Sequence, residues 1–197
     1  PRPPAALPNI VFILADDFGW TDIRSWGSDY YLTPHLDRLS EQGMRFPQAY
    51  AFPNCMPFRA ALMSGQYAPR TGVYTVNNGN RGNAANRRLN AAPNRLSLDF
   101  ELVTLAESMR LAGYATGHFG KWHMGGENEG GYPTAQGFEV NYGGADRGVP
   151  PSRNGSANYF SDANGAFAVP HLEANGIANQ YVTDRLTTEA LDWLESE

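Results

Sequence analysis

Residues 55–65 have the sequence Cys-Met-Pro-Phe-Arg-Ala-Ala-Leu-Met-Ser-Gly. A proline near the start and a glycine at the end predict a short helix that begins at or just after Cys55. Free backbone N–H groups and the helix dipole favour an anion at such a helix start. Arg59 returns to the same helix face one turn later. A thiol, a guanidinium and a positive helix end in one place suit a nucleophile that acts on an anionic group, whereas a lone cysteine without this context is more often a small buried thiol.

A continuous apolar run at residues 9–15 precedes two adjacent aspartates, Asp16 and Asp17. The run predicts a strand buried on both faces, as in a parallel sheet. Ligands bind at the carboxyl ends of such strands, and a hard cation would relieve the repulsion between the two carboxylates. The alternative interpretation is a solvated pair of loop carboxylates.

The rest of the chain alternates between helix and strand patterns. Thr33 as a cap, Pro34 in the first turn and Gly43 at the end predict a helix, and residues 44–51 predict a strand that leads to Cys55. Further on, a helix is predicted over 104–113, a strand over 114–120 and an amphipathic helix over 181–197. This alternation predicts an α/β domain with a largely parallel sheet.

Lys121 and His123 follow the predicted strand over 114–120. Residues two apart in an extended segment point the same way, so both side chains can face one site. A cation and an imidazole together suit a sulfate or phosphate oxygen and a proton transfer. Without further context a surface pair is the default interpretation, and His118, three residues earlier, is interpreted as structural.

Two segments, about 77–98 and 143–180, are rich in turn residues and predict long loops. The first carries Arg81, Arg87, Arg88 and Arg95 and no acid, so it is either a solvated surface loop or a region that attracts anionic substrates. Asn154-Gly155-Ser156 in the second fits a glycosylation sequon and also a plain turn. The formal net charge of −5 argues against general nucleic-acid binding, and no apolar run is long enough to span a membrane.

Three stretches of the chain resemble the type I sulfatases, which depend on formylglycine and have an alkaline-phosphatase-like fold. The Cys-x-Pro-x-Arg motif at residues 55–59 resembles the family signature, although Phe58 stands where a serine is usual. The resemblance implies that Cys55 is oxidised to formylglycine, whose hydrate is the nucleophile, and that Arg59 holds this hydrate. Residues 8–20 resemble the N-terminal sulfatase strand, and residues 120–125 resemble the second sulfatase signature.

The two further stretches carry the other expected site residues. The resemblance implies that Asp16 and Asp17, with the oxygen of residue 55, bind a divalent cation, calcium in preference to magnesium. It implies that Lys121 contacts the sulfate and that His123 contacts the formylglycine hydroxyl.

The resemblance also implies an α/β/α sandwich with a mostly parallel central sheet, of which residues 1–197 are the N-terminal part of a single catalytic domain. The family's remaining metal ligands and the histidine that protonates the leaving oxygen are not assignable in this sequence. We therefore expect a truncated domain that needs the rest of the protein for a complete site. A periplasmic or secreted location is typical of the family.

The expected activity is hydrolysis of a sulfate monoester in a sulfated small molecule or a sulfated glycan. One alternative is a phosphonate or phosphate ester hydrolase of the same superfamily. Another is a non-catalytic relative that binds sulfated ligands with Cys55 unmodified, an alternative that Phe58 keeps open. A fragment with a purely structural role is the third.

Overall fold

The computed structural model describes residues 7–77, 79–80, 82–150 and 158–197. The predicted sequon at Asn154 and the arginine at position 81 lie outside the described residues. The chain divides into two compact units, residues 1–50 and residues 51–197.

The first unit is built around one helix, α1 (Pro34–Gln42), preceded by a 3-10 turn at Arg24–Trp26. Asp37 joins the two, because its carboxylate accepts hydrogen bonds from the backbone of Ser25 at 2.9 Å and from the hydroxyl of Thr33 at 3.2 Å. Pro34 in the first turn and Gly43 at the end confirm the predicted helix. Thr33 occupies the predicted N-cap position, but its side chain makes no capping hydrogen bond to the helix and instead accepts from the backbone of Arg24 at 3.0 Å.

The strands predicted over 9–15 and 44–51 do not form in the first unit. Residues 7–13 are exposed, with Ile13 79% accessible, and no residue of the range 7–50 is buried. The physical reason is that a strand is defined by its hydrogen-bonded neighbours, and the described residues offer these segments no ladder partner. The apolar run therefore identified a segment that favours burial, but it did not specify a strand with which that segment could pair.

The second unit contains four helices and a two-stranded parallel sheet among its described residues. The sheet pairs β1 with β2 in the register Gly117↔Val140, His118↔Asn141 and Phe119↔Tyr142. Short 3-10 turns lie at Ala84–Asn86 and Pro133–Gln136. The helices are α2 (Cys55–Ser64), α3 (Ala68–Thr71), α4 (Leu105–Leu111) and α5 (Val182–Ser196), and the strands are β1 (Gly117–Phe119) and β2 (Val140–Tyr142).

Two hydrophobic clusters hold the second unit together. One packs the inner face of α2 against α4 and the segment after β1, through Met56, Ala60, Met63, Val73, Leu98, Ala106, Trp122 and Met124. The other lies under α5 and contains Phe167, Val169, Leu172 and Val182. Because the first cluster fixes both α2 and the segment after β1, it sets the geometry of the two stretches singled out from the sequence.

The helices predicted over 104–113 and 181–197 are confirmed as α4 and α5. α4 begins with a capping box, in which the Thr104 hydroxyl accepts from the Glu107 backbone and the Glu107 carboxylate accepts from the Thr104 backbone. The strand predicted over 114–120 is shorter than expected and covers Gly117–Phe119. In the parts of the chain that the structure describes, no helix has the length and apolar character needed to cross a membrane.

Candidate active site

Cys55 is the first residue of α2, as the sequence predicted. The residue before it, Asn54, has a φ of 85°, and its side-chain oxygen accepts a hydrogen bond from the Cys55 backbone at 2.9 Å. With a ψ of 145°, Asn54 lies outside the left-handed helical region in which asparagine is most often found at positive φ, although asparagine is a favoured N-cap residue. The N–H of Cys55 already donates to the Asn54 side chain, and Pro57 has no backbone N–H group. The start of α2 therefore offers an anion fewer N–H groups than the sequence pattern suggested.

The side chains of α2 divide between the core and the outside. Met56, Ala60 and Met63 are buried in the first cluster, whereas Cys55 and Phe58 keep part of their surface accessible. Cys55 is therefore placed at the accessible end of a helix whose other face is anchored. This arrangement gives a reactive side chain both a fixed backbone and access to a ligand.

Arg59 links α2 to the segment after β1. It is 7% accessible, and its Nη1 atom donates a hydrogen bond to the backbone carbonyl of Lys121. A charge-assisted bond from a buried guanidinium fixes both partners more firmly than a neutral one. The structure thus brings together Arg59 and Lys121, which are 62 residues apart in the sequence.

The stretch from Gly120 to Gly125, which we call the Lys121 segment, is an irregular turn. β1 ends at Phe119, and both Gly120 and His123 have positive φ angles, 103° and 65°. The expectation that Lys121 and His123 continue an extended strand is therefore wrong, and the alternation argument does not apply to them. The backbone turns because the N–H of His123 donates to the Ala145 carbonyl at 2.8 Å.

His123 lies in a narrow place beside residue 148. The residue is 9% accessible, and a Cβ at Gly148 would come within 2.7 Å of the imidazole Cε1 atom. Only a residue without a side chain leaves room for this ring. Lys121, by contrast, is half-buried, so its side chain retains access to solvent.

Trp122 anchors the Lys121 segment. The sequence patterns considered above did not predict a role for this tryptophan. It is 2% accessible, and its indole N–H donates to the Gly131 carbonyl at 2.8 Å. Its ring packs edge-on against His118 and Phe138, with centroids 5.3 and 6.0 Å away. A tryptophan flanked by two polar residues is a signal that could have identified this anchor, because large aromatic residues dominate core energetics.

Asp16 and Asp17 belong to the first unit, where both are exposed and Asp17 has a φ of 51°. Adjacent accessible carboxylates supply the hard oxygen ligands that calcium prefers, so these residues fit the expected cation chemically. Cys55 belongs to the second unit. Its part in metal binding stays a prediction.

In the loop predicted over 77–98, the arginines that the structure describes, Arg87, Arg88 and Arg95, share no structural role. Arg88 is exposed and Arg87 is half-buried. Arg95 forms an ion pair with Asp99, and this contact is the main cause that lowers the pKa of the Asp99 carboxyl. The loop is fixed near its end by Asn94, whose side chain bonds the backbone of Thr75 in both directions.

A family model described as Sulfatase matches residues 8–197. The chain belongs to the sulfatase family. A sulfatase of Formosa agariphila is 43% identical over 125 residues, covering 59% of this chain and 23% of that protein. Mouse N-acetylgalactosamine-6-sulfatase is 33% identical over 199 residues, covering 96% of this chain and 36% of that protein. Human arylsulfatase A is 39% identical over 136 residues, covering 68% of this chain and 24% of that protein.

Solved structures confirm the predicted alkaline-phosphatase-like α/β fold of this sulfatase chain. The crystal structure of Ps i-CgsB matches with a TM-score of 0.71 and 27% identity, over 93% of this chain and 40% of that one. A Bacteroides thetaiotaomicron protein named BT33336S-sulf matches with a TM-score of 0.64 and 26% identity, over 96% of this chain and 48% of that one. The sulfatase chain thus spans less than half the length of each of these relatives.

Proposed function

We propose that this chain carries the nucleophile of an enzyme that hydrolyses a sulfate monoester. One observation carries the proposal: Cys55 begins α2, and Arg59 of the same helix bonds the backbone of Lys121. The two stretches that resemble the sulfatase signatures are therefore joined by a direct contact. Membership of the sulfatase family supports the same reaction class.

The nucleophile of the proposed reaction is formylglycine at position 55 in its hydrated form. The Cys55 sulfur stands where an oxygen of that hydrate would be. One hydroxyl loses its proton and attacks the sulfur atom of the sulfate ester. The bond from that sulfur to the substrate oxygen breaks, and the substrate leaves as the alcohol after taking up a proton. The second hydroxyl then gives up its proton as the aldehyde re-forms and sulfate departs, an elimination route that a serine side chain lacks.

Three further side chains have proposed roles around residue 55. Arg59 orients the hydrate and is itself held by the Lys121 carbonyl. Lys121 contacts a sulfuryl oxygen and offsets its developing negative charge. His123, in its confined position beside Gly148, contacts the hydroxyl that must lose its proton.

Asp16 and Asp17 are the proposed ligands of a divalent cation, with calcium preferred. When bound, such a cation supplies Lewis-acid polarisation of the sulfuryl oxygens. The support comes from the sequence pattern and from the exposed, adjacent carboxylates of the first unit. Additional oxygen ligands are needed, because calcium takes about six to eight.

The proposed substrate class is a sulfated glycan, with a sulfated small molecule as the second possibility. Relatives are named for N-acetylgalactosamine 6-sulfate hydrolysis, and one similar structure is of Ps i-CgsB in complex with k-i-k-neocarrahexaose. Relatives named arylsulfatase A and steryl-sulfatase support the smaller substrates.

A direct test compares hydrolysis of a sulfate ester and a phosphate ester of the same alcohol. The full-length protein, produced together with a formylglycine-generating enzyme, should prefer the sulfate ester, and Cys55→Ala should remove the activity. A preference for the phosphate ester would instead assign the chain to the phosphate or phosphonate hydrolases.

Phe58 favours one second candidate, a non-catalytic protein that binds sulfated ligands. It occupies the position of the usual signature serine and is half-buried in α2. Equal binding of a sulfated oligosaccharide by the wild type and Cys55→Ala, without turnover by either, would support this candidate.

A further inference from the structure

His118 lies directly beneath the Lys121 segment, at the centre of β1. Its ring packs edge-on against Trp122 and against Phe138, with both pairs of ring centroids 5.3 Å apart. Trp122 is the buried anchor between Lys121 and His123. His118 therefore contacts one of the two side chains by which this segment enters the first cluster, the other being Met124.

The other side of the His118 ring is bounded by β2 and the turn after it. Asn141, the register partner of His118, donates to the Gly144 carbonyl at 2.9 Å and accepts from the Gly144 N–H at 3.0 Å. A Cβ at Gly144 would come within 2.8 Å of the His118 Nδ1 atom. The imidazole thus lies between a closed polar turn and the Trp122 ring; the residue as a whole is half-buried, and its Nδ1 atom is buried.

This enclosure favours the neutral imidazole. Burial is the largest cause that lowers the His118 pKa, to about 4, and the positive charge of Arg59 adds to the effect. Polar contacts with the Asn141 side chain and the Lys121 backbone raise the His118 pKa and offset this lowering only in part. Since Arg59 reaches over from α2 to the Lys121 carbonyl, a protonated His118 would place a second cation beside this link.

We propose that His118 is a positioning residue whose neutral ring holds Trp122 and, through it, the backbone that carries Lys121 and His123. Its effect on hydrolysis rests on the function proposed above, whereas its effect on Trp122 does not. A small displacement of groups that contact a reacting sulfate is expected to cost up to about a hundredfold in rate. The sequence alone could not show this role, because it depends on the β1–β2 register.

The first test needs no substrate. The indole N–H of Trp122 is followed by NMR, since its bond to Gly131 shields it from exchange with solvent. His118→Ala should accelerate this exchange, and His118→Phe, which keeps a neutral ring, should restore most of the protection. His171→Asn, at an exposed histidine with a φ of 63°, is the matched control and should change nothing. Equal exchange in the wild type and His118→Ala would overturn the inference.

The second test is the pH profile of sulfate ester hydrolysis. In the wild type kcat should fall as the pH approaches 4, and His118→Phe should lack this acid limb. His118→Ala should lower kcat at pH 7 even when rates are corrected for the folded fraction. An acid limb unchanged in His118→Phe would contradict the inference. If the full-length wild type hydrolyses no sulfate ester while the indole results hold, the proposed function fails and the positioning of Trp122 stands.

Discussion

Helix α2 and the Lys121 segment, which carry the candidate site residues, are held in place by different means. α2 is specified locally, by an N-cap asparagine, a proline in its first turn and a glycine that ends it. The Lys121 segment is specified by distant residues: Ala145 fixes its backbone, Gly131 accepts from its tryptophan, and His118 packs beneath it. A motif defined by its sequence can thus be held almost entirely by residues outside it.

Removing the anchor of the Lys121 segment should have the largest effect on stability. Trp122→Ala deletes a fully buried aromatic side chain and should lower the free energy of unfolding by about 3–5 kcal/mol. Urea unfolding followed by circular dichroism measures the change. Trp20→Ala, at a tryptophan that is 52% accessible, is the control and should cost much less. Equal losses in the two variants would mean that Trp122 is not the anchor.

Acidification should have the second largest effect, because it protonates His118, which packs against the Lys121 segment. His118 has a folded-state pKa of about 4 against about 6.5 when unfolded, so the unfolded chain binds its proton first as the pH falls. The stabilisation that comes from keeping His118 neutral is fully present above pH 6.5. As the pH falls towards 4 it is lost, and the free energy of unfolding decreases by about 3 kcal/mol. Urea unfolding at pH 7 and pH 4.5 should show a smaller decline for His118→Phe, and parallel declines would refute the pKa assignment.

Cutting the link between α2 and the segment should affect activity more than folding. Arg59→Ala removes the bond to the Lys121 carbonyl and should lower kcat/KM for a sulfate ester by about a hundredfold. Arg59→Lys should rescue little, because an ammonium lacks the planar fork of the guanidinium. Arg70→Ala, at an exposed arginine of α3, controls for lost charge. A full rescue by lysine would show that charge alone is required.

Changing the local start of α2 should have the smallest effect. Asn54→Ala removes the side-chain acceptor for the Cys55 N–H at a position with positive φ, and should cost about 1–2 kcal/mol of unfolding free energy. Asn54→Gly loses the same bond but adopts this φ freely, so its cost should be a few tenths of a kcal/mol. Thermal unfolding of both variants measures the difference, and an alanine variant as stable as the glycine variant would argue against backbone strain at Asn54.

The comparison also shows what the sequence could predict. The bounds of α1, α2, α4 and α5 followed from prolines, glycines and apolar spacing, which act within a few residues. The position of Cys55 at a helix start followed in the same way. Such signals are local, so a single sequence contains all that they require.

The remaining features depend on contacts between distant residues. The apolar run at 9–15 has the composition of a buried strand, yet it is exposed because strand formation requires partners that the pattern does not specify. The positive φ of His123 and the enclosure of His118 depend on Ala145, Asn141 and Gly144, which lie 22–26 residues further along the chain. Resemblance to the sulfatases supplied the candidate residues around position 55, and their roles await the measurements above.

The central claim is that Cys55 is converted to the nucleophile of a sulfatase. Its most direct test is a mass spectrum of the tryptic peptide covering residues 46–59, from protein made beside a working formylglycine-generating enzyme. We predict a peptide at the formylglycine mass, with the aldehyde trapped by a hydrazide. An unmodified thiol under those conditions would show that Phe58 blocks the conversion, and it would contradict the hydrolase in favour of a protein that only binds sulfated ligands.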